Sequence, residues 1–228
     1  MSTPVIIVNL KLYAESAGQK AVEIAKQAQE VQRETGVTFG IAPSMLDAWV
    51  VAQAVEIPVY AQHVDPVEPG AWTGHVSPKL LKEYGLAGSL VNHSEKRLKL
   101  ADISKVVSAL KEEGLTSIVC AGNPRETLAV AALEPKAVAF EPPELIGTGI
   151  SVSKARPEAV TETVELVRSH HPGVTVICGA GVSTGEDVKR ALELGVDGVL
   201  LASAVAKSPN PKKKMEELAA GARSVLKQ

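Results

Sequence analysis

Residues 174–204 read VTVICGAGVSTGEDVKRALELGVDGVLLASA. A β-branched apolar run (VTVIC, 174–178) breaks at a glycine-rich segment. An amphipathic stretch (GEDVKRALELG, 185–195) follows, and then a second apolar run (GVLLA, 198–202). Strand-type residues, a 3.6-residue apolar period and strand-type residues again are the pattern of a βαβ unit, two parallel strands joined by a helix. Both runs are continuously apolar rather than alternating, as strands buried on both faces should be.

Moving outward from this unit, the same alternation recurs along the chain. Further strands are expected at 5–10 (VIIVNL), 38–42 (TFGIA), 58–62 (PVYAQ), 88–92 (GSLVN), 116–121 (TSIVCA) and 137–140 (AVAF). Amphipathic segments at 19–34, 103–113 and 156–170 lie between them. Eight successive βα units in one chain point to an α/β fold closed into a (β/α)8 barrel, a single domain over 1–228. A doubly wound open sheet is the competing arrangement, and the number of units favours closure.

A length of 228 residues suits one such barrel and buries a substantial core. The 24 Lys and Arg against 26 Asp and Glu give a net charge of -2 without a polybasic block, which argues against nucleic acid and anionic membranes as partners. The apolar stretch Val5 to Val8 is too short for a secretory signal, and no run approaches the roughly 18 apolar residues of a membrane span. Cys120 and Cys178 each sit inside a strand-type run, which fits reduced buried thiols and a cytoplasmic setting. The five histidines lack metal-ligand spacing, and no nucleotide-binding loop is present, so no cofactor is expected.

A (β/α)8 barrel builds its chemistry at the C-terminal ends of its strands. Strand one ends in Asn9-Leu10-Lys11, and period-two alternation sends Asn9 and Lys11 to the same side. Strand four runs into NHSEKR (92–97), where His93 precedes Ser94-Glu95-Lys96, a sequence able to start a helical turn whose free N–H groups would hold the imidazole neutral. Strand six delivers Glu141, followed by two prolines and, at 147–149, by GTG, an arrangement suited to a loop that swings between two hinges. Gly179-Ala180-Gly181 after strand seven and Ala202-Ser203-Ala204 after strand eight let backbone N–H groups approach an anion, and so read as a phosphate cradle. Each residue alone also has an ordinary reading. Lys11 can snorkel to water, His93 can be a plain hydrogen-bonding group, and Glu141 can be a cap or a rim ion pair.

Taken together these segments are more specific. An N-x-K ending the first strand, AQHVDPVEPGAWTGHVS (61–77), NHSEKR (92–97) and FEPPELIGTG (140–149) stand in the order and spacing of the triosephosphate isomerase family. The chain resembles that family over nearly its whole length, and VNHSEKRLKL and LLASA resemble its short archaeal branch.

The resemblance implies a TIM barrel that interconverts dihydroxyacetone phosphate and D-glyceraldehyde 3-phosphate through an enediolate, in glycolysis and gluconeogenesis, without a cofactor. It implies Glu141 as base, His93 as electrophile, Lys11 as electrostatic stabiliser, Asn9 as substrate-orienting group and Glu95 as support. Phosphate contacts would come from backbone near Ile146 and Gly147, from Gly181, and from Ala202 with Ser203. GAWTG (70–74) matches a loop that reaches into a neighbouring subunit, with Thr73 near its tip supporting the partner's Asn9 and the partner's Lys11. A homo-oligomer follows, a tetramer in the short branch and a dimer otherwise.

The chain departs from the longer branch at Gly181, where that branch has serine, at Ala202 and Ser203, where it has two glycines, and in the PPEL segment 142–145. The competing enzyme reading is another phosphate-binding barrel, such as a sugar-phosphate epimerase or an indole-pathway isomerase, which needs no Lys11, His93 and Glu141 together. A non-catalytic barrel that binds a phosphorylated metabolite is the other class, disfavoured by the three intact side chains.

Overall fold

The computed structural model describes residues 4–145 and 151–226. Its eight strands are β1 (Val5–Asn9), β2 (Thr38–Ala42), β3 (Tyr60–Ala61), β4 (Gly88–Val91), β5 (Thr116–Ala121), β6 (Ala137–Phe140), β7 (Thr175–Cys178) and β8 (Gly198–Leu201). The helices that cover them are α1 (Gln19–Thr35), α2 (Ala48–Ala54), α3 (Pro78–Glu83), α4 (Leu100–Glu112), α5 (Pro124–Ala131), α6 (Val152–Ala155), α7 (Pro157–His170), α8 (Gly185–Glu193), α9 (Ser203–Ala206) and α10 (Pro211–Leu226).

All strand pairs are parallel, in the order β2-β1-β8-β7-β6-β5-β4-β3. The ring closes between its ends through a parallel bridge from Ile41 to Val59 and an Ile41 N–H to Pro58 O hydrogen bond of 3.0 Å. The expected barrel is therefore present and the open sheet is excluded. β3 is shorter than the sequence suggests, because only Tyr60 and Ala61 pair continuously with β4.

Apolar residues divide into two layers by strand alternation. Ile7, Leu90, Ile118, Ala139, Ile177 and Leu200 pack together inside the barrel, while Ile6, Val8, Val119, Val138 and Val199 join the helices in the outer layer. This phase decides where the strand-end residues point. Two residues beyond Ala139 on β6 comes Glu141, and two beyond Ile177 on β7 comes Gly179, so both belong to the inward series at the mouth.

Helix ends fit the same frame. Thr184 and Asp187 close α8 with a reciprocal capping box, and Asn123 caps α5 by accepting from Glu126 N. No helix of the described residues is long and apolar enough to cross a membrane.

Candidate active site

The mouth of the barrel gathers Asn9, Lys11, His93 and Glu141 around one cleft, whose far wall is Gly179, Gly181, Val182, Ser183, Ala202 and Ser203. The residues singled out at the ends of strands one, four, six, seven and eight thus converge on one place. Ile146 and Gly147, and the GTG segment, lie outside the described residues.

Asn9 and Lys11 meet by a different route from the one alternation suggests. β1 stops at Asn9, and Lys11 adopts a left-handed backbone with φ 50°. The Asn9 side-chain oxygen accepts from the Lys11 N–H at 3.0 Å, and Gln62 Nε2 donates to Lys11 O at 3.0 Å. A non-glycine residue in this region costs roughly 1–2 kcal/mol, so the surrounding hydrogen bonds hold a strained turn that aims the ammonium across the mouth. Lys11 Nζ lies 2.8 Å from Glu95 Oε1.

Asn92 also has a positive φ, 60°, which an Asn tolerates better than most side chains. Its amide donates to Cys120 O at 2.9 Å and accepts from Leu98 N at 2.8 Å, fixing the loop that carries His93. The turn that the sequence allows after His93 is a single isolated one, closed by Lys96 N–H to His93 O at 2.7 Å, and α4 begins only at Leu100. One N–H from this turn matters. Glu95 N donates to His93 Nδ1 at 3.2 Å, which makes Nδ1 the acceptor and leaves the proton of the neutral ring on Nε2. Burial, then the nearby Lys11 charge, hold the imidazole pKa down at about 4. The neutral state expected from a helix terminus is therefore produced mainly by desolvation.

Glu141 is 1% exposed, and among the described residues neither carboxylate oxygen has a nitrogen or oxygen donor in hydrogen-bond geometry, the weak Cys120 thiol being the donor beside it. Burial pushes its pKa up to about 8, against the lowering influence of the adjacent Cys120 thiol, Lys11 and Arg97. The thiol is a weak S–H donor, and its effect is too small to offset the burial. His93 Nε2 and Glu141 Oε2 stand 3.7 Å apart. A cap or a rim ion pair would be exposed or satisfied, so the ordinary readings of Glu141 do not describe this side chain.

The two small-residue loops differ. α8 has its first turn occupied by the Thr184 and Asp187 side chains, whereas α9 starts at Ser203 with no side-chain cap from Ala202. The first N–H groups of a helix lack intrahelical acceptors, so the loop after β8 offers donors to an anion. Gly181 has φ 67°, a turn that suits glycine. Tyr13, Ser183 and Gly179 line the cleft without having been assigned individual roles from sequence. Gly179 carried a readable signal, since it follows the last paired residue of β7 in the inward phase.

Among the described residues no group of three or more His, Cys, Asp or Glu side chains is placed to hold a metal ion.

A closed ring of eight parallel strands, with carboxyl, imidazole and ammonium groups gathered at their C-terminal ends, is a (β/α)8 barrel with ionisable groups placed where barrel enzymes carry their chemistry. The triosephosphate isomerase family profile matches residues 4–219. Triosephosphate isomerase of Methanothermus fervidus is 54% identical over 96% of this chain and 98% of its own. Those of Methanocaldococcus jannaschii and Pyrobaculum calidifontis are 52% and 53% identical, over 93% and 96% of this chain and 97% and 96% of theirs. The chain belongs to the triosephosphate isomerase family.

Proposed function

We propose that this protein interconverts dihydroxyacetone phosphate and D-glyceraldehyde 3-phosphate in glycolysis and gluconeogenesis, as a single cytoplasmic barrel domain acting within a homo-oligomer. The observation that carries the reading is the buried, unpaired Glu141 carboxyl 3.7 Å from a neutral His93. In the forward direction Glu141 takes a proton from the carbon next to the carbonyl. The bonding electrons move to the carbonyl oxygen, where the His93 Nε2–H stabilises them; that oxygen then takes up a proton and the adjacent hydroxyl gives one up, with His93 carrying the exchange, and Glu141 returns the abstracted proton to the former carbonyl carbon as the new carbonyl forms.

A carboxylate with an ordinary pKa near 4.5 is a weak base for such a carbon acid, and desolvation strengthens it. A neutral imidazole donates to the developing oxyanion without remaining a fixed cation. Lys11 supplies positive charge to the enediolate and phosphate, Asn9 orients the substrate, and Glu95 keeps the ammonium aimed. Backbone N–H groups of Gly181, Ala202 and Ser203 hold the phosphate, together with those near Ile146 and Gly147. A coupled assay of glyceraldehyde 3-phosphate isomerisation with purified protein tests the reading, and absence of turnover would overturn it.

A second cleft of about 620 Å³, next to Lys11, His93 and Glu95 and lined by Leu12, Met45 and Leu46, supports the reading of a homo-oligomer. Leu46 is 96% and Leu12 82% exposed, and Trp49 and Val50, on the helix that follows Leu46, are exposed as well. The GAWTG loop stands out from the barrel, with its base pinned by Val76 N–H to Asp65 Oδ2 at 2.8 Å. Seating Thr73 of this loop in a neighbour's cleft supports the partner's Lys11, with a tetramer as the complete assembly and a dimer as its smaller alternative.

A further inference from the structure

We infer that Gly179 is a positioning residue for the base: its missing side chain is the berth in which the Glu141 side chain rests. The inference rests on the isomerase reading only for its effect on turnover, since the packing relationship stands by itself.

A Cβ built at Gly179 falls 2.5 Å from Glu141 Cγ, 2.8 Å from Oε1 and 3.1 Å from Cδ, and these are its three nearest atoms among the described residues. Contacts under 3.0 Å force something to move. The backbone at this position does not itself require glycine, because Gly179, unlike Gly181, is outside the positive-φ set. Geometry explains the collision. Phe140 pairs with Cys178, so Glu141 and Gly179 are the next neighbours in register, and both occupy the inward phase of adjacent strands.

Neither backbone is free to yield. Glu141 N–H donates to Ala121 O at 2.8 Å and Gly179 N–H donates to Phe140 O at 2.9 Å, which extends the ladder past the formal strand ends. A methyl at 179 therefore displaces the Glu141 side chain away from β7. On its other sides lie the Cys120 thiol and, at 3.7 Å, the His93 ring. The remaining open side is the cleft that Glu141 lines, so the substitution pushes the carboxylate off its resting position and misplaces the base rather than reshaping the phosphate cradle.

The test is a two-by-two set: wild type, Gly179→Ala, Glu141→Ala, and the double variant. With Glu141 present, Gly179→Ala is expected to lower Tm by about 2–12 °C, the effect of overpacking a tight site in a domain of this size. In the Glu141→Ala background, where Cγ, Cδ and Oε1 are gone, the same substitution leaves Tm unchanged or raises it. Equal losses in both backgrounds would assign Gly179 a purely backbone role and overturn the inference. If Gly179→Ala does not fold, the double variant decides: folding supports the berth, and failure to fold overturns it.

In the isomerase assay Gly179→Ala is expected to lower kcat about 10²-fold, as for a base displaced by about 1 Å, while inhibition by inorganic phosphate stays within about threefold. Unchanged kcat, or phosphate affinity lost in parallel with kcat, would overturn it. Should the protein lack isomerase activity altogether, the Tm cycle still reads the steric coupling, so the two failures are distinct.

Discussion

His93 Nε2 and Glu141 Oε2 face each other at 3.7 Å, and their surroundings invert the usual order of the two acids. Burial lifts the Glu141 carboxyl to about 8 and lowers the His93 imidazolium to about 4. Between those values both groups are predominantly neutral, so the resting pair carries little charge at its buried position in the mouth of the barrel. A base must be deprotonated to act, so kcat/KM should rise with pH through the Glu141 pKa. The acid limb of the profile is expected well above the ordinary carboxylate range near 4.5, toward about 8. A limb at 4–5 would show that Glu141 titrates as a solvated carboxylate. Glu141→Gln should reduce turnover by at least about 10² while phosphate-ligand affinity stays within about tenfold.

The same group predicts a pH dependence of stability. A carboxyl whose folded pKa is raised binds its proton more tightly in the native state than in the unfolded one. Its contribution is complete below about 4.5 and is lost as pH rises through about 8. Thermal melts of wild type and Glu141→Gln at pH 5 and pH 9 isolate it, because Gln cannot titrate. The wild type should lose stability relative to the variant on going to pH 9. A gap that does not change with pH would contradict the buried placement.

His93 has the opposite sign. Its folded pKa lies below the unfolded value near 6.5, so its contribution is present above 6.5 and is lost as pH falls through about 4. Nitrogen NMR of the ring should report a neutral imidazole protonated on Nε2 throughout pH 5–8, because Glu95 N donates to Nδ1. An imidazolium signal at pH 6, or the Nδ1–H tautomer, would rule out this donor arrangement. His93→Gln should weaken polarisation of a bound substrate carbonyl, visible as a smaller infrared shift.

How far the sequence revealed this site depends on which physical signal each residue carries. Strands buried on both faces read as uninterrupted apolar runs, and the end of AVAF places Glu141 at the C-terminal rim; that it points inward follows from the barrel, where Ala137 and Ala139 face the interior. Period-two alternation alone does not describe Lys11, because its φ of 50° goes with hydrogen bonds from residues as distant as Gln62. The turn after His93 was open to a helical reading because Ser94-Glu95-Lys96 starts either structure, and the tie is broken by Asn92 bonding Leu98 and Cys120 across the loop. Short helices such as α2 and α3, of 7 and 6 residues, span too few turns to show a clear apolar period. Gly179 stood in a glycine-rich segment read only as an anion cradle. Its steric part became visible when β6 and β7 were set in register.

Lys11 pairs function with backbone strain, which makes a separable prediction. Lys11→Gly relieves the left-handed turn and removes an ion pair whose acceptor, Glu95, is more than half exposed. Relief of strain and loss of backbone rigidity nearly cancel, and a pair of this exposure contributes little, so stability should stay within about 1 kcal/mol of wild type. Turnover should nevertheless fall by at least about 10², as for loss of one electrostatic stabiliser of the transition state. Urea denaturation and steady-state kinetics on the same preparation separate the two effects. A large loss of stability with modest loss of rate would make Lys11 structural.

The apolar surface beside the site carries the last prediction. Leu12, Leu46, Trp49, Val50 and Trp72 are all substantially exposed in the isolated chain, and the first two border the cleft that also touches Lys11 and Glu95. Exposed Leu12 and Leu46 beside that cleft are expected to be covered in the assembled protein. Leu46→Glu places a charge where a neighbour's GAWTG loop would seat, yet its side chain is 96% exposed here and supports no core. Sedimentation velocity should therefore show dissociation with fold and circular dichroism intact. Activity should fall with it, recovering in part at high protein concentration, because Lys11 would lose the support expected from the neighbouring Thr73. A wild type that already sediments as a monomer, or a Leu46→Glu variant that remains fully assembled, would remove this face from the interface.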